Sequence, residues 1–248
     1  MSVFPYELHL HSCLSPCGDV DMTPSSIAGM AMLNGVKIAA LTDHNTCKNC
    51  PAFFAACRNY GVVPIAGMEL TTMEEIHMVC LFDSLEAAME FDSFVEKHRM
   101  RVKNRPDIFG EQLIVNEDDE VIGTVDELLI LATDLDITTA ANIVRERGGA
   151  AFPAHIDKQS NGLIGVLGSF PVEPGFASVE FHDSIHIEKY KEIYPEIANL
   201  NIITNSDAHA LDQMSLTPSV LSGLGDIAGE DCIRSAVVSF LRGDDAKI

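Results

Sequence analysis

Short apolar runs alternate with longer amphipathic stretches along most of the chain. This arrangement is expected of an α/β fold built on a largely parallel sheet or barrel. Strands are expected over Tyr6–His11, Lys37–Thr42, Val62–Glu69, Ile76–Phe82, Ala150–His155, Ala177–Phe181 and Ile202–Asn205. The clearest helix start is at Thr23, which can cap a helix opening on Pro24 and carrying Ile27, Met30, Ala31 and Asn34 on related turns until Gly35. Further helices are expected over Cys50–Tyr60, ended by Gly61, and over Leu85–Arg101, Thr138–Gly148, Ser160–Leu167, His186–Ala198 and Glu230–Arg242. The rhythm breaks over Val102–Asp136, where Arg105-Pro106, Gly110 and the acidic run Glu117–Glu120 intervene. That stretch reads as an insertion on a single barrel domain spanning residues 1–248, because it is too short to hold a core of its own. A hairpin is expected inside it, pairing Ile114-Val115 with Val121-Ile122.

Composition narrows the picture. The chain has 248 residues, 47% of them hydrophobic, enough for one well-buried core. Sixteen Lys and Arg against 37 Asp and Glu leave a formal charge of −21. On that balance no long nucleic acid is expected as a partner, because a phosphate backbone is bound through many cationic contacts. A small phosphorylated substrate stays compatible with the charge if bound cations supply the positive field locally. No leader-like segment and no apolar run of bilayer length is visible, so no membrane association is expected. With seven Cys read as reduced thiols, the expectation is a cytoplasmic protein. The sequence sets no oligomeric state.

The candidate chemistry lies where these strands end, the place where the loops of an α/β barrel converge. The first strand ends in His9-Leu10-His11, whose alternation puts both imidazoles on one face. The second ends in Thr42-Asp43-His44-Asn45 and the third in Gly67-Met68-Glu69; the fourth opens on His77. A later strand runs into Pro153-Ala154-His155-Ile156-Asp157, and the last into Asn205-Ser206-Asp207-Ala208-His209. Imidazole and carboxylate are the donors preferred by borderline divalent ions such as zinc, manganese or iron. One such element is weak evidence, but its recurrence at five or six strand ends points to a metal centre. Cys47-x-x-Cys50 and Cys13-x-x-x-Cys17 read as small thiols in tight loops, with an extra zinc or a redox pair as the alternative. Cys57, Cys80 and Cys232 read as core residues.

His9-x-His11-Ser12, Thr42-Asp43-His44-Asn45, Glu69 with His77, His155, and Ser206-Asp207-Ala208-His209 resemble the successive motifs of the PHP family, the polymerase and histidinol phosphatase domain. The resemblance implies a distorted, TIM-like (β/α)7 barrel with two or three divalent metal ions (Zn, Mn or Fe) and phosphoester hydrolysis by activated solvent. It implies that His9, His11 and Asp207 hold one metal, and that Glu69 bridges it to a second held by His77 and His155. His44 and His209 would hold a third, completed from the loop Ser12–Asp19 by Asp19 in the first instance, with Cys17 as competitor. Asp43 reads as an acceptor that orients an imidazole. Glu69, Asp207 and His209 are the candidate catalytic groups. Lys158 and Arg101 are candidates for contacting a substrate phosphate, as are Lys103 and Arg105 if the insertion folds over the mouth. The implied function is that of a free-standing metal-dependent phosphoesterase acting on a nucleotide, a sugar or amino-alcohol phosphate, or a short oligonucleotide. Two alternatives stand beside it: an amidohydrolase-like amide or lactone hydrolase, and a metal-binding regulator without catalysis.

Overall fold

The computed structural model describes residues 3–224 and 227–244. In chain order the elements are β1 (Val3–Glu7), α1 (Pro24–Leu33), β2 (Ile38–Leu41), α2 (Cys50–Tyr60), β3 (Val63–Thr71), β4 (His77–Phe82) and α3 (Leu85–Val95). There follow α4 (Pro106–Phe109), β5 (Leu113–Val115), β6 (Val121–Thr124), α5 (Ile137–Glu146), β7 (Ala150–Pro153), α6 (Leu163–Leu167) and β8 (Ser178–Phe181). The last are α7 (Ile187–Ile193), β9 (Asn201–Thr204), β10 (Ser219–Ser222) and α8 (Glu230–Arg242). Local chemistry explains the boundaries. The Thr23 hydroxyl accepts the Ser26 N–H ahead of Pro24, and Gly61 ends α2 at φ 67°, a left-handed position that favours glycine.

Six strands form one sheet in the order β10-β1-β2-β3-β4-β7, while β8 and β9 pair in parallel beside it. Hydrogen bonds close the ring at both seams. The Ile156 N–H donates to the Glu180 carbonyl, and the His11 N–H donates to the Ala208 carbonyl next to a Leu10–Ala208 bridge. With β10 set aside as an antiparallel addition to β1, the result is a distorted seven-strand α/β barrel, as expected. The distortion has a local cause. The turn between β3 and β4 is too short for a crossover helix, so the two strands pair antiparallel and β4 runs backwards. Reversal brings the start of β4, at His77, to the end of the ring where β3 carries Glu69.

Alternation along the strands separates two cores. Ala39, Leu41, Ala66, Met68, Met78 and Phe82 pack with α1, α2, α3 and α5. Ile38, Ile65, Val79, Leu81 and Phe152 pack on the opposite face with Val237, Val238 and Leu241 of α8. Glu69 and His77 share strand parity with this inner set. Gly67 lies between Ile65 and Glu69 on that face, and a Cβ there would stand 2.3 Å from the Cys80 carbonyl oxygen. Replacing Gly67 with alanine is expected to cost about 3 kcal/mol in a denaturant titration, because β4 must be pushed aside. A loss under about 0.5 kcal/mol would contradict this close approach.

Several elements differ from expectation: β1 ends at Glu7, so His9 and His11 lie just beyond it and not in a strand over Tyr6–His11, and α4 was not expected. The helix from Leu85 stops at Val95 rather than Arg101, because Arg99 bridges Thr133 and Asp134 donates to the His98 carbonyl, turning the chain alongside 126–134. The helix from His186 breaks at Tyr194, since Pro195 lacks an N–H and excludes helical geometry at the residue before it. Strand β10 had no apolar signature: only Leu221 of its four residues is buried. The hairpin over 114–122 forms as β5 and β6. Cys57 and Cys80 are buried, but Cys232 is exposed on α8. Among the described residues no helix is long and apolar enough to cross a membrane.

Candidate metal centre

His9, His11, His44, Glu69, His77, His155 and Asp207 converge at one end of the ring, and His209 stacks on His11 with ring centroids 4.1 Å apart. Five imidazoles lie 2.8–3.3 Å from the Glu69 carboxylate: His9, His11, His44, His77 and His155. The Asp207 carboxylate faces His9 at 3.3 Å and His11 at 3.2 Å. Three sets have ligand atoms close enough to share an ion: His9, His11, Glu69 and Asp207; His44, Glu69 and His77; and His11, His44 and His209. The first matches the set implied by the resemblance. The second groups His77 with His44 instead of His155, although His155 Nε2 stands 3.0 Å from Glu69 Oε1.

The backbone aims these groups by leaving strand geometry. His155 has φ 26° and Asp207 φ 54°, and Asn45, just after His44, has φ 53°. Such left-handed residues at strand exits cost energy and are retained where surrounding contacts hold them, commonly at functional sites. Asn45 shows the holding contacts: its amide donates to the Leu129 and Leu131 carbonyls and its side-chain oxygen accepts the Thr71 N–H.

Hydrogen bonding fixes three of the rings in one tautomer. Ser15 donates its hydroxyl proton to Asp43, so His11 Nδ1 must donate to Ser15 and keeps a bare Nε2. His209 Nδ1 donates to the Asp207 carbonyl. His9 Nδ1 faces Glu180 at 2.9 Å. The bare Nε2 atoms of His9 and His11 then sit 3.2 Å apart, both opposed to carboxylate oxygens. Lone pairs facing lone pairs in a buried pocket require a cation or extra protons between them. Asp207 Oδ1 and His44 Nδ1 are also buried without a hydrogen-bond partner. The donor set therefore fits a borderline divalent ion, and the electrostatics agree. Burial pulls the His11 pKa down, but the Asp207 and Glu69 carboxylates overturn this and lift it to about 9. His9 is likewise raised, against burial, by Glu180, Asp207 and Glu69. Burial lowers His44 to about 4 and His209 to about 3. Burial would raise Glu69 and Asp207, yet the surrounding imidazoles hold both well below the usual carboxylate range.

The remaining candidates are placed as follows. Asp19 donates its N–H to the His209 carbonyl, but its exposed carboxylate accepts from Asp21 and joins none of the three sets. Cys17 joins none either, and burial together with the Glu69 and Asp207 charges pushes its thiol up to about 12. Lys158 Nζ bonds Asp207 Oδ2 at 2.7 Å. Arg101 is exposed and paired with Glu127, away from these contacts. Asp43 does act on an imidazole, through Ser15, while Ser12 binds it twice. The Cys47 and Cys50 thiols donate to the Gly67 carbonyl behind Glu69, and no cysteine belongs to a ligand set among the described residues. The insertion lies on the loops after β1 and β2, through Asn49 to Leu113 and Val115 and Asn45 to Leu129.

Glu180 is the residue that sequence reasoning missed. It sits in β8, buried, and accepts from His9 Nδ1, the Asn205 amide and the His155 N–H. Its signal was an acid inside the otherwise non-acidic run Ser178-Val179-Glu180-Phe181. Replacing Glu180 with glutamine is expected to weaken metal affinity about 10- to 100-fold while circular dichroism stays native, as read by chelator competition. Unchanged affinity would show that His9 does not depend on it.

Known proteins match this arrangement at the level of fold. A putative metal-dependent phosphoesterase from Bifidobacterium adolescentis is similar over 94% of this chain and 95% of its own, at 16% identity and TM-score 0.57. The lesion-specific endonuclease EndoQ from Pyrococcus furiosus is similar over 86% of this chain at 17% identity and TM-score 0.55; the chain spans half the length of that endonuclease. An Endonuclease Q complex with a 27-mer duplex substrate, carrying an abasic lesion at the active site, is similar over 85% of this chain and 50% of its own (17% identity, TM-score 0.50). No match was found among the curated proteins. These endonucleases overturn the exclusion of long nucleic acid that was drawn from net charge. Net charge sums over a whole surface, whereas phosphates are met locally, and a protein of which half is similar in fold to this chain takes a duplex substrate. The PHP domain family model matches residues 7–146, more than half of the chain and three of the five motif regions, and the chain belongs to the PHP domain family.

Proposed function

We propose that the chain is a metal-dependent phosphoesterase whose centre is held by His9, His11, His44, Glu69, His77, His155, Asp207 and His209. The observation carrying this reading is the set of buried imidazole nitrogens and carboxylate oxygens opposed across 2.8–3.3 Å with their outer atoms already committed to Glu180, Ser15 and the Asp207 carbonyl. Divalent ions bound there supply Lewis acidity toward a phosphoryl oxygen and lower the pKa of water to near neutral.

The chain's own residues supply position and proton handling. Glu69 offers two carboxylate oxygens to opposite walls of the pocket: Oε1 faces His77 and His155, and Oε2 faces His11 and His44. Ser15 and Asp43 keep His11 from rotating. Lys158, a third exposed, holds Asp207 and can swing its ammonium to an equatorial phosphoryl oxygen without leaving the site. His209, its Nδ1 committed to the Asp207 carbonyl, has Nε2 left to offer an ion together with His11 and His44. Burial of the other ligands excludes bulk water and strengthens each of these interactions.

The test is a panel of phosphate monoesters, phosphodiesters and duplex DNA with an abasic lesion, incubated with protein loaded separately with Mn²⁺, Fe²⁺ or Zn²⁺. Chelator-sensitive release of phosphate or a nicked strand is expected. Cleavage of amides or lactones alone, or of nothing, removes the proposal.

A further inference from the structure

A second cavity, of about 310 Å³, lies between the segments that leave β8 and β9. Its wall is polar throughout. Ser184, Thr204, Ser206, Ser215 and Ser219 bring hydroxyls, and Gln213 brings an amide. His182 brings an imidazole and Asn205 a second amide; among the described residues no Lys, Arg or apolar side chain lines it, while Glu7 and Asp183 add carboxylates. Each absence excludes a class of ligand. A phosphate or other anion would face two carboxylates with no Lys or Arg to pair with. An acyl chain would find no apolar side chain to pack against. Hydroxyls and amides, which donate and accept equally, suit a ligand that does the same. The Ser206 hydroxyl is buried in this wall beside the Glu7 carboxylate.

The cavity is tied to the metal centre through its wall. Ser206 precedes Asp207, and its N–H is held by Glu7 Oε1 at 2.8 Å. Gln213 Oε1 accepts the His209 N–H. Asp157, two residues after His155, accepts the N–H groups of His182 and Asp183 on the far wall. A ligand that fills this space has its edge against the segments that carry Asp207, His209 and His155. A volume near 300 Å³ falls at the small end of ligand pockets, the scale of one sugar ring.

We infer that this cavity is a subsite for a neutral polyhydroxylated group, a sugar or polyol, carried on the phosphate ester that the neighbouring centre would cleave. The inference rests on the phosphoesterase reading for the phosphate end alone; the cavity binds its sugar without turnover. Ser184 is exposed and Ser215 bonds only Thr217 N–H, so both can be enlarged without cutting a contact to the metal ligands.

Two measurements on the full chain decide it. Saturation-transfer NMR with phosphate-free D-ribose and myo-inositol is expected to show transfer from the native protein. The signal should fall at least about fivefold in a Ser184→Leu/Ser215→Leu protein and survive in Ser215→Thr. No transfer from either probe, or equal transfer in the double variant, overturns the subsite whatever the enzyme does. In turnover, kcat/KM for ribose 5-phosphate relative to p-nitrophenyl phosphate is expected to drop about tenfold in the double variant, because the latter carries no hydroxyls to lose. An unchanged ratio overturns the link between cavity and centre. Absence of all ester cleavage alongside retained ribose binding counts against the hydrolase reading and leaves the subsite standing.

Discussion

His11→Ala and Asp207→Ala are each expected to lower turnover of any phosphate ester by about three orders of magnitude, roughly 4 kcal/mol at the barrier. The size follows from sharing. His11 belongs to two of the three ligand sets and lies 3.2 Å from both His9 and Asp207. Its removal therefore disturbs more than one ion at once, and such losses within one working unit are not additive. Asp207 faces His9 and His11 and also anchors Lys158, so its loss frees the one cation bonded inside the cluster among the described residues. Neither side chain belongs to the two apolar clusters that hold the barrel together, so thermal unfolding should stay cooperative in both variants. The informative sample is one whose metal content has been measured. A His11→Ala protein that carries a full complement of metal and turns over at the native rate contradicts the arrangement.

The motifs at strand ends were legible because a barrel concentrates its chemistry where loops converge, so alternation along short strands already placed His9 with His11 on one face. The ring of eight gathered side chains could be read this way without coordinates. The manner of gathering could not. His155 and Asp207 reach the pocket through left-handed backbone, which no hydrophobic period encodes, and His77 reaches it because β4 is reversed by a tight hairpin. Glu180 stayed hidden because its partners, His9 and Asn205, are 171 and 25 residues away. Pro195 and the Arg99–Thr133 bridge ended helices whose apolar pattern ran on, a case of tertiary contacts and one imide overriding propensity. The hairpin over 114–122 was legible, and its acidic turn also reaches α1: Asp119 accepts from Thr23 and Ser25 at the start of that helix, where a carboxylate complements the helix dipole. Net charge was the weakest guide. It excluded a class of partner that proteins of this fold accept.

Metal affinity is expected to climb with pH, and the part of the slope that His11 supplies is expected to end at about 9. The metal-free pocket keeps a proton on His11 until about that pH, and His9 is raised in the same direction. An ion must expel these protons, so below that point each proton displaced makes the apparent affinity about tenfold tighter per pH unit. His44 and His209, at about 4 and about 3, are already neutral in this range and add no slope. The slope should thus lie between one and two, set by His11 and His9 and not by the number of imidazoles present. Chelator competition at about pH 6, 7 and 8 reads it directly, and proton release into a weakly buffered solution gives an independent count. An affinity flat with pH would mean that His11 and His9 enter the reaction unprotonated, and that the carboxylates of Glu69 and Asp207 do not govern them. A slope near four would instead mean that His44 and His209 hold protons too, contrary to the effect of their burial.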